Sequence, residues 1–295
     1  MLHAQEFVEQ ELAEWDGIVA VGGDGLLYEI VNGLARRDPA GLSALRQMPL
    51  AIIAGGTGNG LYASVLHHSA QAMSPVDATF LVIKGSLVQS DLSLIETAGG
   101  ERHLSFLSLS WGLISDVDIL SERIRWAGTL RQDVYGIWAI LRQKRYRGRL
   151  SFLPCPPDSS AGASQQPPEL PPLAGPLSPE WITLEADFLL ILISHTSHIA
   201  EKVFTSPGKQ LGDGAFRILV LRKPVSRCHL FSIFLSLEHG GHVASEAVEV
   251  CAALAYRLEP LTEEGIYSLD GEMPEYGTIR GAIIPRAMRL MGALT

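Results

Sequence analysis

Two short glycine-rich turns carry the side chains of this sequence best suited to chemistry: Gly22-Gly23-Asp24-Gly25 and Gly55-Gly56-Thr57-Gly58-Asn59-Gly60. Each follows a short apolar run and precedes a segment with helical spacing. A turn in that position offers unpaired backbone N–H groups and the positive end of a helix, and it holds anions, phosphates above all. Glycine lets the backbone approach such a ligand closely. In an open parallel sheet ligands gather at the carboxyl ends of the strands, so the two turns are expected to line one crevice. Asp24 is the unusual member. A carboxylate beside a phosphate site is electrostatically unfavourable unless it binds a metal or takes a proton from an attacking hydroxyl. Asp is also a favoured N-cap for the helix that follows it, and the two roles can coexist. Neither turn has the Lys-Ser or Lys-Thr of a P-loop or the G-x-G-x-x-G spacing, and no protein-kinase signature set is present.

The elements that must position these turns follow from periodicity. Ala4, Val8, Leu12 and Trp15 recur at helical spacing, residues 18–21 read as a buried parallel strand, and Leu27, Ile30, Val31 and Leu34 share one helical face. A second strand over 49–53 and a helix from Leu61 repeat the pattern. Strand, glycine turn, helix, twice over, predicts an α/β parallel-sheet N-terminal domain, taken here as residues 1–86. Short apolar or alternating runs at 87–94, 104–109, 188–194, 215–221 and 253–258 then predict a mainly β, sandwich-like C-terminal domain over 87–295. One helix, from about residue 121 to 145, interrupts them. Proline, serine, glycine and alanine dominate 154–180, which reads as a disordered insertion between two strands.

Composition bounds the function. Hydrophobic residues make up 47% and charged residues 19% of the 295, enough for a sizeable core. A net charge of -9 argues against a nucleic-acid partner. Cys155, Cys228 and Cys251 are too few and scattered for a disulfide framework or a zinc site, which suggests a reducing, cytoplasmic setting. The first residues lack the apolar core of a signal peptide. The longest apolar run, 188–193, is far short of the roughly 20 residues that span a bilayer. The expectation is a soluble protein whose membrane contact is peripheral.

The run from Gly22 through Asp24, Leu26, Glu29 and Asn32 to Leu34 resembles the signature of the diacylglycerol-kinase-like lipid kinases. Leu26, where many of them carry Thr or Ser, resembles the sphingosine kinases among them. Residues 54–59, Ser110 to Asp118 with Ser121-Glu122, Tyr146 to Leu150, Ser194 to His198, and Leu269-Asp270-Gly271-Glu272 are similar to further segments of that family. The likeness covers almost the whole chain. It implies ATP- and Mg²⁺-dependent phosphorylation of a sphingoid base at its primary hydroxyl, with Asp24 as general base. Gly22, Gly23 and Gly25 would flank the reacting groups, and Glu29, Gly56, Thr57 and Gly58 would lie on the nucleotide side. Arg125 and Arg131 would reach the ATP phosphates, for which guanidinium forks are suited. Asp118 would meet the substrate's ammonium group, with Glu122 close by. Asp270, Gly271 and Glu272 would return from the far end of the chain to complete the nucleotide and magnesium site.

An acid facing the headgroup favours a cationic sphingoid base over ceramide or diacylglycerol, so kinases of those lipids are the alternative within the fold. Val134, Ile137 and Trp138, at i, i+3, i+4 spacing, would form either an apolar patch where the lipid enters or part of the packed core. Arg142, Lys144, Arg145, Arg147 and Arg149 would attract anionic lipid, or form a basic amphipathic helix of the calmodulin-binding kind. The resemblance also implies a strand and a basic, glycine-containing loop ahead of the first helix here. Without them a catalytically impaired, lipid-binding or regulatory form is the third reading.

Overall fold

The structure, a computed structural model, describes residues 3–11, 15–37, 42–56, 58–121, 131–156 and 167–293. The first part alternates helix and strand: α1 (His3–Glu11), β1 (Ile18–Gly22), α2 (Asp24–Arg37), α3 (Ser43–Gln47), β2 (Pro49–Ala54), α4 (Gly60–His68) and α5 (Pro75–Lys84). The apolar face read from the sequence of α2 is the face it buries, Leu27, Ile30, Val31 and Leu34 all packing into one core with Leu50 and Leu61. β1 and β2 are parallel, Ile18 opposite Leu50 and Gly22 opposite Ala54. That register sets the two glycine turns side by side at the strands' carboxyl ends. β1 departs from the expected buried strand. It lies at the sheet edge, with Val19 42% and Val21 67% exposed, because only one of its faces meets a helix layer.

The second part follows as β3 (Ser86–Thr97), β4 (Arg102–Ser105), β5 (Ser108–Gly112), α6 (Leu113–Leu120), α7 (Arg131–Arg142), β6 (Tyr146–Pro154), β7 (Ile182–Phe188), β8 (Leu190–Ser194), β9 (His198–Ala200), β10 (Val203–Phe204), β11 (Phe216–Leu221), α8 (Arg227–Leu235), β12 (Glu249–Pro260), β13 (Tyr267–Leu269) and β14 (Ile279–Ala293). Its central strands are buried on both faces, and alternate residues feed two cores. Ile191, Ile193, Ile218 and Val220 join an aromatic core with Trp111, Tyr146, Phe216 and Tyr256. Leu190, Leu192, Leu219 and Leu221 face the other way, under α6, α7 and α8. Period-2 alternation between two apolar layers is why these strands read in sequence as unbroken apolar runs.

The longest strand couples the two parts. β14 runs antiparallel to β3 from Ile279 opposite Thr97 to Ala293 opposite Ser86. Its first half also pairs with β12, and its last residues pair in parallel with β2, Leu290 opposite Leu50. Between those stretches the register shifts, and Arg286 adopts a positive φ of 52°. The Asp91 carboxylate stabilises this bulge by accepting from the N–H groups of Arg286 at 2.9 Å and Gly214 at 2.8 Å. The buried Lys209 ammonium sits 3.8 Å from it and also pairs with Asp213.

Three expectations need correction. Of the single helix expected over 121–145, the described part is α7, which stops at Arg142, three residues early; residues 122–130 lie outside the described residues, and a separate helix, α6, ends at Leu120 before that span begins. The basic run therefore does not lie on one helix. Arg147 and Arg149 project from β6 to ion pairs with Glu185, Asp187 and Glu259. The Arg145 guanidinium donates to the carbonyls of Asp187, Arg222 and Lys223. This division removes the continuous basic helix that a calmodulin-type partner would grip. Finally, β6 and β7 do pair as the strands flanking the insertion, but its second half is anchored. Arg257, 5% exposed, donates to the carbonyls of Pro172 at 2.9 Å and Gly175 at 3.0 Å. Arg280, its partner across β12 and β14, donates to Pro171. Buried guanidinium groups supply the order that the segment's apolar content does not.

Charged hydrogen bonds of this kind contribute about 2 kcal/mol. Arg257→Ala is expected to leave the core folded while limited proteolysis cleaves residues 167–180 several-fold faster, roughly in line with that energy. Unchanged cleavage would mean that Arg257 does not hold the strap.

Candidate functional site

The two glycine turns touch backbone to backbone. Gly55 donates its N–H to the Gly22 carbonyl at 3.0 Å. A Cβ on Gly56 would lie 2.5 Å from the Gly23 Cα, and one on Gly55 would lie 3.2 Å from the Gly22 Cα. Glycine at Gly56 is thus fixed by the close approach of another backbone. Gly55 and Gly56 are exposed, so the joined turns present main chain to the solvent beside the first turns of α2 and α4.

Asp24 holds this junction. It opens α2, is 9% exposed, and turns its carboxylate to the start of the other helix. Gly60 donates to Oδ2 at 2.7 Å and Leu61 to Oδ1 at 3.2 Å. Asp24 therefore caps α4, thirty-odd residues away in sequence, from the first residue of α2. Asn59 shapes the same corner. Its φ of 58° is left-handed, its Oδ1 accepts from Gly56 N–H at 3.1 Å, and its Nδ2 donates to the Gly56 carbonyl at 2.9 Å. The β9 segment closes the turn from the second part of the chain, Glu201 donating to the Gly58 carbonyl at 2.8 Å. Burial raises the Asp24 carboxyl above its usual range, and the N–H groups of Gly60, Leu61 and Asn59 pull the other way. The net effect is a carboxylate with increased basicity next to two positive helix ends.

The far C-terminal motif reaches the same place. Glu272 is exposed, and a Cβ on Gly25 would meet its Oε1 at 3.7 Å. Asp270 and Gly271 form the positive-φ turn, at 53° and 90°, that delivers it. The Asp270 carboxylate itself points inward. It accepts from Ser105 Oγ and from the N–H groups of Phe106, Leu107 and Ser108 at 2.8 to 3.1 Å. Burial pushes it up to about 6 against the pull of these donors. Asp270 is 2% exposed and braces the β4–β5 turn, so it has no face left for a nucleotide or a metal.

The other expected residues divide. Gly58 sits 3.4 Å, measured from an added Cβ, from Asp24 Oδ2. Asp118 lies on α6 and accepts from Ser268 Oγ on β13, the strand that leads to the Asp270 turn. Arg131 opens α7. Glu29 is turned to α1, where it accepts from the Ala4 N–H at 3.0 Å; that contact directs it away from the nucleotide side. Thr57, Glu122 and Arg125 lie outside the described residues. Asn32 enters the sequence reading only as a member of the family-like run, with no role given: its amide donates to the Leu104 carbonyl at 3.0 Å and accepts from the Leu104 N–H at 2.9 Å, locking α2 to β4. No local periodicity marks it. Among the described residues no cluster of three or more His, Cys, Asp or Glu is arranged to hold a metal ion. Glu272 is the exposed carboxylate that the structure brings beside Gly25.

Gly56→Ala tests the backbone contact directly. The added methyl group must part the two turns, so nucleotide binding measured by calorimetry is expected to weaken at least about tenfold, the equivalent of roughly 1.4 kcal/mol. The thermal midpoint should also fall, because the clash is with backbone, so affinity is compared well below the variant's melting midpoint. Unaltered affinity would show that turn contact is irrelevant to the ligand.

Comparison with known proteins places this geometry. Residues 2–95 match the family "Diacylglycerol kinase catalytic domain". A crystal structure of a diacylglycerol kinase from Bacillus anthracis shares the fold at 14% identity, with a TM-score of 0.61 over 99% of this chain and 82% of that one. Sphingosine kinase 1 of Homo sapiens is 34% identical over 300 residues, covering 96% of this chain and 78% of the human protein. Sphingosine kinase 1 of Mus musculus is 32% identical with the same coverage, and sphingosine kinase 2 of Arabidopsis thaliana is 33% identical over 92% of this chain and 60% of its own length. With that identity sustained across both parts of the fold, and with the glycine turns inside the matched catalytic domain, the chain belongs to the sphingosine kinase family of lipid kinases.

Proposed function

We propose that the chain transfers the γ-phosphoryl group of ATP to the primary hydroxyl of a sphingoid base. The observation that carries this reading is the Asp24 carboxylate, held at the junction of the two glycine turns by the N–H groups of Gly60 and Leu61. The electropositive amino ends of two helices there suit the nucleotide phosphates. Phosphoryl transfer asks the protein mainly for positioning and charge stabilisation. Asp24 orients the lipid hydroxyl and takes its proton as the oxygen attacks phosphorus and ADP leaves. Its raised pKa suits that task, because a base is most effective when its pKa approaches the working pH. Glu272 would be the protein ligand to a Mg²⁺ ion carried by the nucleotide, which would neutralise charge at the phosphates.

Substrate choice is assigned to Asp118. An ammonium group gains a charge-assisted hydrogen bond there, whereas ceramide and diacylglycerol bring no cation to the acid. The lipid is delivered at the outer side of α7, where Val134, Ile137 and Trp138 are exposed together with Leu141. Phe231 and Leu235 of the neighbouring α8 add to that surface. Exposed apolar side chains on two packed helices suit peripheral contact with a bilayer. No described helix is long and apolar enough to cross one.

Phosphorylation of sphingosine from labelled ATP by this chain is the first test. Asp24→Asn is expected to reduce turnover by roughly a hundredfold or more, the usual contribution of a positioned base. The same change turns an amide N–H₂ towards Gly60 or Leu61 and costs about 1–3 kcal/mol of stability, so turnover is compared below the variant's melting midpoint. Full activity in Asp24→Asn would sink the general-base role. Asp118→Asn should lower kcat/KM for sphingosine about tenfold or more, the value of one charge-assisted contact, without a matching loss on an uncharged lipid alcohol. An equal loss on both would remove Asp118 from headgroup recognition.

A further inference from the structure

A cavity of about 510 Å³ opens between α6, α7 and the loop joining β12 to β13. Its volume is that of a small-ligand site. Leu113, Asp116 and Leu120 line it from one face of α6. Asp118, two residues on, points about 200° away around the helix. The cavity is therefore separate from the face assigned to the sphingoid ammonium.

Its floor is a buried acid with incomplete hydrogen bonding. Asp116 is 8% exposed, and its two oxygens lie 2.8 and 2.7 Å from the same Tyr146 hydroxyl. One hydroxyl proton cannot satisfy two carboxylate oxygens, which together have about four acceptor positions. A buried carboxylate in that condition is costly unless a cation approaches. In the structure the cation is internal: Lys144 places its ammonium 4.6 Å from the centroid of the Tyr146 ring. Beside it Arg142 lies 5.1 Å from the Trp138 ring. Burial raises the Asp116 carboxyl, and Lys144 and Arg142 oppose that rise. At the mouth Glu263 and Glu264 are exposed.

We propose that this cavity binds the headgroup of an ethanolamine phospholipid, its ammonium on Asp116 and the Tyr146 ring and its phosphate on Arg142 and Lys144. The charge pattern selects a dipolar ligand. A simple anion would face Asp116, Glu263 and Glu264, while a simple cation would face Arg142 and Lys144. A primary ammonium two carbons from a phosphate ester meets both sets. Lys144 occupies the ring face in the free protein as a stand-in for the ligand's ammonium, and it turns to the phosphate when that ammonium displaces it. The negative face of an aromatic ring attracts such cations. The source is a bilayer lipid, because Trp138 lines the cavity and also belongs to the exposed apolar side of α7 with Val134, Ile137 and Leu141. A lipid beneath that helix can lift its headgroup into the cavity while its chains stay in the membrane. This inference does not depend on phosphoryl transfer or on Asp24.

The test titrates the full chain with phosphoethanolamine by calorimetry and measures its retention on vesicles of phosphatidylcholine with and without phosphatidylethanolamine. Saturable binding is expected, with phosphocholine weaker because its nitrogen carries no N–H to give Asp116. Lys144→Ala, at an exposed side chain that leaves the fold intact, is expected to weaken phosphoethanolamine about tenfold, the loss of one charge-assisted bond. Asp116→Asn should do the same in a sample shown to be folded by its melting curve. Phosphatidylethanolamine should raise vesicle retention, and free phosphoethanolamine should compete it away. The proposal is overturned if the parent protein shows no saturable binding, or if both variants bind as the parent does. Retention indifferent to phosphatidylethanolamine, with free phosphoethanolamine still bound, overturns the lipid source.

Discussion

A carboxylate shared between two helix starts is the constraint on which the rest of this site depends. The amino ends of α2 and α4 are both electropositive and would repel if brought together unscreened. Asp24 resolves that conflict: it begins one helix and accepts from Gly60 and Leu61 at the start of the other. With the helix ends held, the turns before them are forced into contact, and only glycine fits where Gly56 passes Gly23. Exposed main chain is then fixed on a rigid support beside two electropositive helix ends, an arrangement suited to a phosphate site.

The junction is not the property of the N-terminal part alone. Gly58 and Asn59 are gripped by the β9 segment, and Glu272 arrives beside Gly25 from near the end of the chain. Asp270 makes that arrival possible by fixing residues 105–108. β14 then carries the chain out of the second part and into the parallel sheet beside β2. Three separated segments thus converge on one pair of turns. A disturbance of the β3–β14 bulge, where Asp91 and Lys209 are buried together, would be transmitted to the strands that carry the turns.

Much of this was legible in the sequence, for definite reasons. The α2 face repeats at 3.6 residues, and that local period survives in the chain order, whereas the unbroken apolar run 18–21 gave the strand but not its exposed face. The glycine turns declared themselves by composition, and Asp24 by being the wrong charge for a phosphate loop. What the sequence concealed was long-range and polar. Nothing near Asp24 announces Gly60 as its partner, and nothing near Asn32 announces Leu104. The strap at 171–175 looks disordered because its anchors, Arg257 and Arg280, lie some eighty and more residues downstream. The basic run misled for a related reason: charge can be read from sequence, but the change from helix to strand before Tyr146 splits it between two elements.

The double duty of Asp24 also bears on how a carboxylate can act as the proposed base. A side chain that must rotate into place loses conformational entropy with each turnover, whereas this one is held by backbone donors before any ligand arrives. The same donors lower its basicity, which on its own would make it a poor proton acceptor. Burial acts in the opposite sense and prevails. Rigidity and basicity are usually in competition for a hydrogen-bonded carboxylate, because the bonds that fix it also stabilise its charge. Here they are separated: α4 supplies the fixing, and the low-dielectric packing of the joined turns restores the proton affinity. A surface aspartate with the same two hydrogen bonds would be equally well oriented and a weaker base.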